Sequence, residues 1–309
     1  MDESRETRIP QLDFTLRDEE GFAARLVEIL HTVGFVYLRN HGIDSRLIQK
    51  AFEVSADFFR LSQEEKLRYR RPEGADVNSG YVPVGMEKLG VFIEEEKRKK
   101  EFREAYNFLP FDRKRLPESL PDFEGAITDL FTASAELTTR IFACLAKGLD
   151  LQDKTIFERS HSLIGSRECD TTLRLLSYPP VEVSRNTEGE LLRCGTHSDY
   201  GTITLLYQDA VSGLEVENMQ DEFVPATPIP DCVLVNVGDL LQRWTSDYLR
   251  STRHRVTCNN KSANGKVRQS MAFFVHPNSD FLVECLDGTN RYPAITGGDY
   301  LREKFKMTY

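Results

Sequence analysis

The sequence has little that would take it to a membrane or to nucleic acid. No apolar stretch approaches the roughly 20 residues needed to cross a bilayer. The opening residues Met1-Asp2-Glu3-Ser4-Arg5-Glu6 are charged and lack the apolar core of a secretory signal. The closing residues Lys306-Met307-Thr308-Tyr309 match neither a prenylation nor a peroxisomal address. Positive charge is in deficit: 40 Lys and Arg against 49 Asp and Glu leave a net charge of −9. No basic footprint for phosphates or anionic lipid therefore dominates the chain. Its one basic run, Lys97–Lys100, follows Glu94–Glu96 and reads as a charge-balanced, solvated helical segment. The six cysteines include no CxxC pair and read as reduced thiols rather than a disulfide framework. Internal repeats, low-complexity segments and an HExxH motif are also missing. These absences lead us to expect a cytoplasmic protein with no nucleic-acid, membrane or obligate protein partner.

What is present suits a folded, core-forming chain: 309 residues, 40% hydrophobic and 29% charged. The first half reads as mixed and mainly helical. A short strand is expected over 9–14 and a buried strand over Gly34–Leu38, followed by a turn at Asn40-His41-Gly42. Helical spacing marks 18–32, 44–60 and 123–148, while 72–92, rich in Gly, Pro and Val, reads as a loop or irregular hairpin. Beyond about residue 170 short β-rich runs recur at 173–178, 201–207, 214–217, 232–237, 253–257 and 268–275, each bounded by turn residues. A short helix at 238–244 and a last one over 298–306 complete the pattern. Many short punctuated strands argue for a jelly roll. We therefore expect a mainly β fold with a helical layer, residues 1–150, packed on a core, residues 151–309, as one cooperative unit.

The chemistry gathers around Gly195-Thr196-His197-Ser198-Asp199-Tyr200-Gly201. In a strand, residues i and i+2 share a face, so His197 and Asp199 can present a nitrogen and an oxygen to one ion. His254, farther on in the strand-like run Arg253-His254-Arg255-Val256, offers a second imidazole. Two imidazoles and a carboxylate form the facial triad of non-haem Fe(II), which leaves positions open for a chelating co-substrate and dioxygen. Structural zinc sites use four closed protein ligands. Next, Arg268-Gln269-Ser270 opens an apolar strand with a cation and a hydroxyl on one face. A guanidinium inside a barrel is costly without an anion, and its fork of donors matches a carboxylate. Finally, Arg174, Leu176 and Tyr178 share a face of the strand shortly before the His-x-Asp.

At this point the whole chain resembles the isopenicillin N synthase-like branch of the Fe(II)/2-oxoglutarate-dependent dioxygenases. Ile9-Pro10…Asp13-Phe14, Gly34-Phe35-Val36-Tyr37-Leu38-Arg39-Asn40-His41-Gly42-Ile43 and Phe58-Phe59-Arg60-Leu61-Ser62 are similar to its N-terminal region. Tyr178-Pro179, His197-x-Asp199, Val235-Asn236-Val237-Gly238-Asp239, His254-Arg255-Val256 and Arg268-x-Ser270 follow in the family's order. The resemblance implies a double-stranded β-helix core, with His197, Asp199 and His254 as iron ligands. It also implies that Arg268 and Ser270 hold the distal carboxylate of 2-oxoglutarate, helped by the Tyr178 hydroxyl. Stretches 173–179, 199–208 and 225–244 resemble thymine dioxygenase-like members most. Through that similarity Arg174, Tyr200 and Phe274 become candidates to line a pocket for a pyrimidine or other small planar polar compound. The implied reaction consumes O2 and 2-oxoglutarate and releases succinate and CO2 as a small substrate is oxidised, most simply by hydroxylation.

Blander readings stand beside these. Arg174 serves equally well in a structural ion pair. His31, His41, His161 and His276 read as structural or solvent-exposed, and Trp244 with Phe52, Phe58 and Phe59 as core. The loop 259–266 reads as a polar hairpin tip near the mouth of the site. Two rival functions stay open: a 2-oxoglutarate-independent iron oxidase of the same fold, and a non-catalytic ligand-binding relative. A zinc hydrolase is disfavoured without HExxH or a third histidine nearby.

Overall fold

The computed structural model describes residues 8–72, 78–87, 89, 96, 100–180, 191–257 and 265–308. The chain opens with β1 (Gln11–Asp13), α1 (Phe22–Thr32), β2 (Phe35–Arg39), α2 (Ser45–Arg60) and α3 (Gln63–Arg68). Then come β3 (Gly80–Val82), β4 (Lys100–Glu101), β5 (Glu104–Phe108), the long α4 (Phe123–Gly148) and α5 (Ile156–Ser160). The second half runs β6 (Thr172–Tyr178), β7 (Leu191–His197), β8 (Ile203–Gln208), β9 (Leu214–Glu217), β10 (Phe223–Pro225), β11 (Cys232–Val237), α6 (Asp239–Trp244), β12 (His254–Thr257) and β13 (Arg268–Val275). A small antiparallel pair, β14 (Leu282–Val283) and β15 (Ile295–Thr296), leads into α7 (Gly297–Thr308).

Among the described residues the strands form an 8-stranded sheet, β1-β2-β11-β8-β13-β6-β5-β3, and a 5-stranded sheet, β10-β9-β12-β7-β4. Together they make the jelly-roll core. The larger sheet is buried on both faces, and the alternation along β13 explains how. Met271, Phe273 and Val275 point outward into the core shared with α1, α2 and α4, while Ala272 and Phe274 point inward between the sheets.

The helical layer forms for local reasons as well. Ser62 caps α3 by accepting the Glu65 N–H at 3.2 Å, the Ser-x-x-Glu pattern of a capping box. Along α4, Phe123, Ile127, Leu130, Phe131, Leu137, Ile141 and Leu145 recur at helical spacing and are buried. Phe58, at the end of α2, sits wholly inside a ring cluster with Phe59, Tyr69, Tyr81, Tyr106 and Phe123, centroids 4.8–6.4 Å away. Truncation of such a ring to Ala costs about 3–5 kcal/mol.

The structure corrects the sequence reading in several places. Strands of the first half, β1, β2, β3 and β5, belong to the large sheet rather than to a separate helical layer alone. Strands β3, β5 and β7 lacked the alternation that marked the others. Of the run around Lys97–Lys100, expected as a solvated helical segment, only Glu96 and Lys100 are described. Lys100 opens β4, and Glu96 is buried, accepting the Thr196 N–H at 2.7 Å and its hydroxyl at 2.8 Å. Residues 94, 95 and 97–99 lie outside the described residues, as does most of the 259–266 loop.

Candidate active site

The two sheets enclose a cavity of about 140 Å³. All nine residues singled out from the sequence line it: Arg174, Tyr178, His197, Asp199, Tyr200, His254, Arg268, Ser270 and Phe274.

The two histidines come from the smaller sheet. His197 ends β7 and His254 begins β12, directly opposite in the antiparallel register, with ring centroids 4.3 Å apart. Each ring donates from Nδ1 to a backbone carbonyl, His197 to Gly195 at 2.8 Å and His254 to Thr252 at 3.1 Å. That assigns both free lone pairs to Nε2. Those Nε2 atoms lie 3.9 and 3.7 Å from Asp199 Oδ1. The other Asp199 oxygen, Oδ2, accepts from Thr204 and from Asn236, both at 2.7 Å. Burial alone would raise the Asp199 carboxyl, yet the His254 and His197 rings and these two hydrogen bonds hold it below the usual carboxylate range. Burial drives His254 down to about 4 and lowers His197 also, so both rings are neutral near pH 7. Three donor atoms thus converge within 4.8 Å of one another with their remaining polar atoms spoken for. This donor set fits Fe(II).

Asp199 does not reach this position by strand pleating, as the i, i+2 argument supposed. Strand β7 stops at His197, and Asp199 stands in the loop beyond. Its carbonyl accepts the Asp239 N–H at 2.7 Å, tying the loop to the start of α6. The approach is possible because Gly201 and Gly238 face each other: a Cβ on Gly238 would lie 2.2 Å from the Gly201 carbonyl oxygen.

Arg268 opens β13 and is 1% exposed. Its guanidinium donates to Gln208 Oε1 at 2.9 Å, Val211 O at 3.2 Å and Ser270 Oγ at 3.3 Å, and lies 4.9 Å from the Tyr178 ring centre. It forms no ion pair among the described residues. Its hydrogen-bond partners among the described residues are all neutral, while the Asp209 carboxyl, which accepts from the Gln269 and Val211 N–H groups, lies near enough to feel its charge.

Arg174 lines the cavity and is also held in an ion pair. Two of its nitrogens donate to the two Glu87 oxygens. Glu87 also lies 3.5 Å from Arg103, which in turn pairs with Glu101 at 2.8 Å. Tyr200 meets Phe305 of α7 edge-on at 6.4 Å, and Leu301 and Phe305 of that helix complete this wall.

Sequence reasoning missed Glu87, Asn107 and Thr204 at the cavity and Gln208 beside Arg268, and gave Asn236 no role. For Asn236 the signal was its place in the Val235–Asp239 motif; Glu87 fell in a stretch read as loop. His276, read as structural or exposed, instead lines the cavity. It continues the same alternation as Arg268, Ser270 and Phe274. His161 is buried rather than surface-lying, bonded through both ring nitrogens. His41 is buried, His31 is exposed on α1, and Trp244 and Phe58 are core as expected.

Comparison with known proteins agrees with this geometry. Residues 169–277 match the 2OG-Fe(II) oxygenase superfamily, and residues 9–123 match the non-haem dioxygenase in morphine synthesis N-terminal family. The chain is 34% identical to the 2-oxoglutarate-Fe(II) type oxidoreductase ppzD of Metarhizium rileyi, across 98% of this chain and 92% of that one. It is 34% identical to the proline hydroxylase buaE of Petromyces alliaceus, across 94% of each. Full-length Neurospora crassa T7H, solved with alpha-KG and thymine, superposes with a TM-score of 0.86 at 29% identity, covering 100% of this chain and 99% of that one. The chain belongs to the 2OG-Fe(II) oxygenase superfamily and is a 2-oxoglutarate-dependent oxidoreductase that acts on a small molecule.

Proposed function

We propose that His197, Asp199 and His254 hold the Fe(II), that Arg268 and Ser270 with the Tyr178 hydroxyl hold the distal carboxylate of 2-oxoglutarate, and that Arg174, Tyr200 and Phe274 face a pyrimidine or similar planar polar substrate. The observation that carries this reading is the convergence of two Nε2 atoms and one carboxylate oxygen, each fixed by hydrogen bonds on its far side. Fe(II), 2-oxoglutarate and O2 together supply an oxidant for an unactivated C–H bond, with succinate and CO2 released. The chain's own contribution is position. Thr204 and Asn236 hold Asp199 with one oxygen turned to the histidines. Arg268 fixes one end of the co-substrate, and Leu301, Phe305 and Phe274 exclude water from the other.

The pyrimidine lead rests on two things: the aromatic faces of Tyr200 and Phe274 beside the amide and guanidinium groups of Asn107 and Arg174, and the thymine complex of T7H. Our reading further takes the protein as cytoplasmic, with no nucleic-acid, membrane or obligate protein partner. The five described cysteines are free thiols, and no helix among the described residues is long and apolar enough to cross a membrane. We take 1–150 and 151–309 as one cooperative unit, because both contribute strands to one sheet.

Adding 2-oxoglutarate to anaerobic, Fe(II)-loaded protein is expected to produce the visible metal-to-ligand charge-transfer band, absent in His254→Ala. Succinate release on adding thymine then tests the substrate. Replacing His197 or Asp199 by Ala should abolish iron-dependent turnover; near-normal activity in either variant would sink the ligand assignment.

A further inference from the structure

Strand β13 measures the length of the cavity. Its inward residues Arg268, Ser270, Ala272, Phe274 and, one step past the strand, His276 all line the same space as the metal ligands. At about 3.3 Å per residue, the first and last stand some two dozen ångströms apart along the backbone. The facing strand matches it rung by rung: Tyr178 opposite Arg268, Leu176 opposite Ser270, Arg174 opposite Ala272 and Thr172 opposite Phe274. The anion-receiving group is at one end. His276 is at the other.

The placement of His276 is well determined. Its N–H donates to Thr171 Oγ1 at 2.9 Å, and its carbonyl accepts from that hydroxyl at 3.1 Å and from the Cys169 thiol at 3.2 Å. Pro277 follows and restricts the backbone. The ring rests against Gly201 in the loop that carries Asp199, where an added Cβ would come within 3.1 Å of Cε1 and 3.2 Å of Nδ1. Five of the six histidines have a ring nitrogen in a hydrogen bond to protein: His31, His41, His161, His197 and His254. Neither ring nitrogen of His276 has such a partner among the described residues, although the ring faces the cavity.

A polar ring fixed at its backbone, partnerless at its tip and turned into a site is a group kept for a ligand. We infer that His276 is a substrate-recognition residue, whose ring nitrogens bond a neutral N–H or C=O group of the substrate at the end of the cavity away from Arg268. Burial keeps the ring neutral, its basicity lowered to about 4, so it can donate from one nitrogen and accept at the other. Asp170, two residues before Thr172, also lines the cavity. The nearby acid argues against a carboxylate group there and for an amide-like one. This inference rests on the cavity being the active site proposed above.

The test uses full-length, Fe(II)-loaded protein with 2-oxoglutarate under anaerobic conditions. Binding of thymine, 1,3-dimethylthymine and L-proline is measured by calorimetry for the parent, His276→Phe and His276→Asn. The phenyl ring keeps the packing on Gly201 but makes no hydrogen bond, whereas Asn restores one. In the parent, thymine should bind better than its N-methylated analogue. His276→Phe should bind thymine about tenfold more weakly and lose that preference, with 2-oxoglutarate affinity changed less than twofold; His276→Asn should recover part of both. An unchanged preference in His276→Phe overturns the assignment, as does an equal loss of 2-oxoglutarate binding, which would mark a structural role. Binding of L-proline in place of thymine replaces the pyrimidine reading and, because that zwitterion offers no neutral N–H or C=O group, overturns the assignment of His276 as well. A parent that binds 2-oxoglutarate but none of the three probes overturns this inference and leaves the iron and co-substrate assignments standing.

Discussion

Arg268 and Arg174 lie in one cavity, on adjacent paired strands, and differ in what surrounds them. Arg268 has a carbonyl, an amide, a hydroxyl and an aromatic face. Arg174 is held by both oxygens of Glu87, within a buried group that also contains Arg103 and Glu101. Among the described residues that group holds two cations, Arg174 and Arg103, and two anions, Glu87 and Glu101. Burying a charge demands a counter-charge in either case; at Arg174 the protein supplies one in direct contact, whereas the direct partners of Arg268 among the described residues are neutral and our proposal sets the 2-oxoglutarate carboxylate there. The residue type alone therefore does not identify an anion site. The neighbours do.

Removing the Arg268 cation should have the largest effect. With Arg268→Ala, a carboxylate bound there loses a charge-assisted fork worth about 2–5 kcal/mol, which is roughly thirtyfold to several-thousandfold in 2-oxoglutarate affinity. Titration of the charge-transfer band measures this directly. An affinity within threefold of the parent would break the comparison, since Arg268 would then be as structural as Arg174.

Next in size is Glu87→Gln, which should remove the carboxylate that two Arg174 nitrogens reach. The loss of charged hydrogen bonds costs about 1.5–3 kcal/mol of stability, read from denaturant unfolding. It should also make the cavity more receptive to substrates that carry a carboxylate, read by competition binding against neutral analogues. Tyr178→Phe probes the same end as Arg268 more gently. Losing one hydroxyl donor to the co-substrate should weaken 2-oxoglutarate by about 0.5–1.5 kcal/mol, two- to tenfold.

The comparison also explains what was legible in the sequence. His197, Asp199, His254, Arg268 and Ser270 stand in ordered motifs beside strands of clear alternation, and the runs at 214–217, 232–237 and 268–275 coincide with β9, β11 and β13 nearly to the residue. Helix α4 was equally clear because its apolar spacing is sustained over 26 residues. What escaped was set by distant partners. Glu87 sits in a stretch without periodicity, and only the fold brings it to Arg174. Asp199 owes its position to Asp239, Thr204 and Asn236 rather than to its own strand. Strand β5 is buried on both faces, so it shows no alternation to read.

His161 offers a third answer to burial, and the smallest effect. It has neither a counter-charge nor access to a ligand, and the protein keeps it uncharged. Its Nδ1–H donates to the Phe157 carbonyl at 2.7 Å, and Nε2 accepts from the Thr202 hydroxyl at 2.9 Å. Burial lowers its basicity to about 3, against 6.5 for a free histidine. The sign follows from which state takes the proton first. Between about 6.5 and 3 the unfolded chain binds a proton that the folded one refuses, so stability is complete above that window and falls as the pH falls into it. At pH 6 this residue should cost about 0.8 kcal/mol relative to pH 8. Other buried histidines add to the acid slope of the parent, so the informative quantity is the difference from His161→Gln, whose unfolding free energy should lose about that much less over the same interval. Equal pH dependence in the two proteins would mean that His161 gains a proton in the folded state, and that a buried charge without a counter-charge is tolerated here as readily as one with it.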